Sequence, residues 1–113
     1  MGGWRLTVRH GSKVGKETFD GLEDATAAMR AEVEGIIRAG PLESVQGFRE
    51  YDPAEQVAAR LELSSGGVLG RREAGMDVMG DGALVPYVGI FRKRRLNGQS
   101  LDQAIEAVAQ ALR

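Results

Sequence analysis

The residue pattern changes its period at Asp20. From Trp4 to Arg9 the side chains alternate, with Trp4, Leu6 and Val8 set against Arg5, Thr7 and Arg9. That is the two-residue period of a strand with one face buried. After Asp20 the apolar residues Leu22, Ala25, Met29, Val33, Ile36 and Ile37 recur at helical spacing, marking one stripe of an amphipathic helix. A chain using both periods must lay helix stripes on sheet faces, which points to an α+β fold.

The punctuation supports the same layout. Gly11-Ser12 suits a two-residue hairpin turn with glycine supplying positive φ, and this sets Trp4 opposite Phe19 as an aromatic cross-strand pair. Asp20 and Glu23 have capping-box spacing, and Gly40-Pro41 ends the helix. "SVQGFREY" reads as a strand, "DPAE" as a turn, and "VAARLEL" as a strand with Val57, Ala59, Leu61 and Leu63 inward. "SSGGVLG" is a flexible connection by composition. "RREAGMDVMG" and "ALVPYVGIFRKRRL" form a hairpin around "GDG". Ser100 and Gln103 give a second capping box, ahead of a helix with Leu101, Ile105, Val108 and Leu112 on one face. The order is ββα-ββ-ββα. It predicts one domain over residues 1–113, with a mostly antiparallel sheet of five or six strands packed on one face by two helices. "GLEDATAAM" and "SLDQAIEAV" echo each other, which convergent helix chemistry explains as well as duplication does.

Composition narrows the function classes. Net charge is −1 over 113 residues, so no global field draws the chain to nucleic acid or an acidic membrane. Cysteine is absent, which removes thiol catalysis, disulfides and thiolate metal sites and fits a reducing cytoplasm. The start "MGGWRL" lacks a signal-peptide core, and no apolar run reaches the roughly 18 residues of a membrane helix. The expectation is a soluble cytoplasmic protein with no membrane contact.

The catalytic repertoire is thin. His10 is the only histidine, so a His pair or a His-rich metal cluster cannot form. Its place beside the turn predicts a solvated side chain. Asp77 and Asp81 lie four apart, but Asp81 is what the turn itself requires. Glu73 and Asp77 could do acid–base work only inside a cleft. No catalytic residue, metal ligand or cofactor is assigned.

The register of the last hairpin gives the one candidate face. A turn with one extra residue, in which a glycine takes a bulge, sets Val78 opposite Leu84, Met76 opposite Pro86 and Ala74 opposite Val88 on the core side. The other side then pairs Asp77 with Val85, Gly75 with Tyr87, Glu73 with Gly89 and Arg71 with Phe91. Lys93 and Arg95 continue that side if the strand runs on. Arg71, Tyr87, Phe91, Lys93 and Arg95 are therefore the candidate ligand or nucleic-acid face, since aromatics among cations suit stacked bases and phosphates. The competing explanation is that Arg92 to Arg95 only solvate a strand end.

"WRLTVRHGSKVGKETF" and the helix opening with an acid and "DA" resemble the arm-type DNA-binding domains of tyrosine recombinases, over roughly the first 30 residues. The third strand that those domains carry before their helix is missing here, and no site residue is carried over. The leading expectation is a non-enzymatic binding module for a protein partner or a second copy of itself. The alternatives are a nucleic-acid-binding domain using the last hairpin and a small carboxylate-based enzyme. A small-residue row, Ala27, Ala31 and Gly35, is expected to let the first helix lie close to the sheet, or to serve as a helix–helix dimer contact.

Overall fold

The computed structural model describes residues 3–39, 56–65, 72–89, 94–96 and 100–113, with residues 94 and 95 described in backbone only. The elements are β1 (Trp4–His10), β2 (Lys13–Phe19), α1 (Leu22–Ala39), β3 (Val57–Ser65), β4 (Glu73–Met79), β5 (Leu84–Val88), β6 (Arg94–Arg95) and α2 (Leu101–Leu112). The strand expected at residues 44–51 lies outside the described residues.

The six strands form one antiparallel sheet in the order β2-β1-β3-β4-β5-β6. β3 is thus inserted beside β1 after the helix, on the side away from β2. The strand that flanks β1 there comes after the helix, not before it.

The turn chemistry sets the registers as expected. Gly11 has φ 63°, and the tight turn pairs His10 with Lys13 and Trp4 with Phe19. At the β4–β5 turn Gly82 takes φ 89°, Met79 N–H donates to Ala83 O at 2.8 Å, and the Asp81 carboxylate accepts from Ala83 N–H at 3.0 Å. Val78 then faces Leu84, Met76 faces Pro86 and Ala74 faces Val88.

Both helices cover the same face. One hydrophobic cluster takes Ala25, Met29, Val33 and Ile36 from α1, Ala104, Ile105, Val108 and Leu112 from α2, and Leu6, Ala59, Leu61, Leu63, Ala74, Met76 and Val78 from the sheet. α1 lies over β1, β2 and β3, α2 lies over β4 and β5, and the two helices touch. An Arg30–Asp102 ion pair bridges them. The Ser100 capping box forms in both directions, with Gln103 N–H donating to Ser100 Oγ at 3.1 Å and Ser100 N–H to Gln103 Oε1 at 3.2 Å. Arg72 donates to the Leu112 carbonyl at 3.2 Å and so ties the end of α2 to the start of β4.

Four expectations are corrected. Val57 is exposed because the β3–β4 register shifts between Val57 and Ala59. Ile37 is exposed, one position past the buried Ile36 on the stripe. Ala27 and Ala31 face solvent while Ala25, Met29 and Val33 face the sheet, so the small-residue row does not hold α1 close to the strands. The last strand is not continuous. At Gly89 the backbone turns to φ 104°, and residues 94–95 return antiparallel to β5 as a separate strand.

Candidate functional site

The face of the sheet without helices carries Arg60 and Glu62 from β3, Glu73, Gly75 and Asp77 from β4, and Val85 and Tyr87 from β5, as strand alternation requires. Arg60 lies opposite Asp77. Its guanidinium donates to both carboxylate oxygens, at 2.8 and 3.3 Å. This two-pronged bond raises the Arg60 pKa above its usual value and occupies both oxygens of Asp77. Asp77, one of the two carboxylates considered for acid–base work, is thus held by Arg60.

Tyr87 is only 3% exposed. It sits opposite Gly75, and the missing side chain there is what admits it. A Cβ on Gly75 would stand 2.6 Å from Tyr87 Oη and 2.8 Å from Cζ, and would also collide with the Leu61 carbonyl. The phenol end of the ring therefore stands over Gly75. Burial, followed by the charges of Glu62 and Asp77, pushes the phenol well above its ordinary pKa. A ring packed this way has no open face for a nucleobase.

Of the other residues of the candidate basic–aromatic face, Arg71, Phe91 and Lys93 lie outside the described residues. Arg95 stands opposite Tyr87 in register, but it arrives on the separate, antiparallel β6 rather than by extension of β5. Glu73 and Gly89 do meet, with Gly89 N–H donating to Glu73 O at 2.9 Å.

The feature that the residue pattern did not expose is at the opposite edge. Every residue of β2 from Lys13 to Thr18 is exposed, and only Phe19 is half-buried. Beside it, on the helix side, opens a cleft of about 460 Å³. Leu6 and Val8 make its apolar floor, and Lys13, Glu17 and Glu32 stand on its rim. His10 closes one end. It is half-buried rather than solvated, and its Nε2 has no hydrogen-bond partner among the described residues. The correction follows from alternation: His10 is in step with Leu6 and Val8, so it points to the helix side. That parity was the available signal.

The backbone of β2 offers a second kind of group. A two-residue turn makes His10 and Lys13 a hydrogen-bonded closing pair. Lys13, Gly15 and Glu17 then direct N–H and C=O toward β1, while Val14, Lys16 and Thr18 direct theirs outward. Among the described residues no group of His, Asp and Glu side chains is placed to hold a metal ion. No described helix is long and apolar enough to cross a membrane. No family model, curated protein or solved structure matches this chain.

Proposed function

We propose that the protein is a non-enzymatic interaction module that receives an extended segment of a partner along β2. The observation that carries this reading is the seven-residue edge strand with six exposed residues beside the cleft floored by Leu6 and Val8. Strand addition draws affinity from main-chain hydrogen bonds and specificity from alternate side chains entering a neighbouring pocket. Here the outward groups of Val14, Lys16 and Thr18 supply the first. The cleft, with a volume in the range of ligand sites, supplies the second for residues that point to the helix side.

A screen of extended peptides followed by amide NMR tests the reading. Peptides that bind should shift the Val14, Lys16 and Thr18 amides most. Lys16→Pro removes one outward N–H and no bond to β1, so it should abolish binding and leave the fold intact. Binding that survives Lys16→Pro, or that shifts only residues of β5, would overturn it.

A further inference from the structure

We propose that the segment β2 receives is the β2 of a second copy, joined antiparallel about a two-fold axis at Gly15. The proposal rests on the strand-addition reading and names its occupant. In a symmetric antiparallel pair, one residue faces itself and its neighbours pair reciprocally. A dyad at Gly15 sets Gly15 against Gly15, Val14 against Lys16 and Lys13 against Glu17, each of the last two occurring twice. Val14, 52% exposed, would be covered by the aliphatic stem of the opposing Lys16. Each Lys13 would meet a carboxylate on the helix side, at the rim of the cleft.

Neighbouring registers lack this complementarity. A dyad at Lys16 opposes two lysines, and one at Glu17 opposes two glutamates; like charges directly opposite destabilise a strand pair. A dyad at Val14 leaves Glu17 opposite Gly11, in the turn. The hydrogen-bond phase agrees as well. Val14 and Lys16 both turn their backbone groups outward and can exchange two bonds, whereas Gly15 and Gly15 form the close, non-bonded pair, where the absence of side chains lets the strands meet. A Cβ at Gly15 would meet nothing within 4 Å in the single chain, and its φ is not in the left-handed region. Among the described residues, neither packing nor the backbone conformation requires glycine at that position.

Among the described residues the opposite edge, β6, presents only two residues. The self-paired β2 would join two sheets into one of twelve strands and close the open flank of each cleft with the partner's Lys13 and Glu17.

The test uses the absence of cysteine. Gly15→Cys places one thiol per chain at the dyad, and Val14→Cys places it opposite Lys16. Under mild oxidation Gly15→Cys should form a disulfide-linked dimer at least about tenfold faster than Val14→Cys, because close non-bonded pairs have Cα atoms about 4.5 Å apart. Sedimentation equilibrium gives the second readout. Lys13→Glu and Glu17→Lys should each weaken dimerisation by about tenfold or more, and the double exchange should restore it, since two symmetric pairs change sign together. Ala31→Glu, on the exposed face of α1, should leave the dimer unchanged. Equal cross-linking rates, additive charge reversals, or loss of the dimer through Ala31→Glu would overturn the proposal. So would a monomer at all concentrations up to about 1 mM, a range that reaches dissociation constants of about 1 mM. That last result would leave the peptide screen to judge β2 as an edge for other partners.

Discussion

The two hairpins of this sheet begin from the same ingredients and end differently. β1–β2 and β4–β5 each turn on a glycine with positive φ, and each sets a glycine opposite a larger residue, Gly15 against Val8 and Gly75 against Tyr87. Yet Ala74, Gly75, Met76 and Val78 of β4 are buried, while Lys13 to Thr18 are exposed. Position in the sheet decides the difference. β4 is flanked by β3 and β5 and lies under α2, whereas β2 has one strand neighbour among the described residues and α1 reaches only its margin. The same local chemistry yields a packed centre in one place and an accessible edge in the other.

Substitution at matched places should separate the hairpins most. Met76 is fully buried and Val14 is 52% exposed. Met76→Ala should cost about 2–5 kcal/mol. Val14→Ala should stay within about 0.5 kcal/mol when measured below the dimer's dissociation constant. Chemical denaturation reads both, and similar costs would break the contrast.

The glycines give a smaller but sharper comparison. Gly75→Ala forces a methyl against the Tyr87 ring and the Leu61 carbonyl, which should cost about 1–3 kcal/mol as overpacking. Gly15→Ala has open space and should change monomer stability by under about 0.5 kcal/mol. A cost under about 0.5 kcal/mol would mean that both the ring and the Leu61 carbonyl give way to the methyl, and would remove the account of why that ring is buried.

The smallest effect appears only at high pH. The folded chain holds the Tyr87 proton more tightly than the unfolded chain, whose phenol titrates near 10.0. Its contribution to stability is therefore full below that pH and is lost as pH rises above it. Tyr87→Phe should flatten the fall of the unfolding midpoint between about pH 10 and 11. An alkaline limb of unchanged slope would show that the phenol is not held by burial. β2 carries no tyrosine, so the comparison predicts no counterpart at that edge.

Much of this was legible in the residue pattern where turn and alternation agreed. Gly11-Ser12 fixed Trp4 opposite Phe19, and Asp81-Gly82 with one extra residue fixed Met76 opposite Pro86. The α+β class, the antiparallel sheet and the two helices on one face follow from the same periods. Three things were not legible, for physical reasons. Glycine at 89 is compatible with either a straight strand or a reversal, so "YVGIF" gave no sign that residues 94–95 would turn back. Alternation placed Tyr87 on the helix-free face, but face alone does not set exposure; the glycine opposite it does. The edge status of β2 depends on β3 joining the other side of β1, a long-range choice with no local signature.

That same insertion has a consequence in time. His10 pairs with Ala59 and Trp4 with Ser65, so the strand that completes β1 is made some fifty to sixty residues after it. At a synthesis rate of about 5–20 residues per second, the interval is roughly 3 to 12 seconds. Through it, the newborn hairpin has two open sides instead of one, and an isolated two-stranded ribbon is marginal in water. The ribosome therefore presents a hairpin open on both sides before the residues that cover β1 exist.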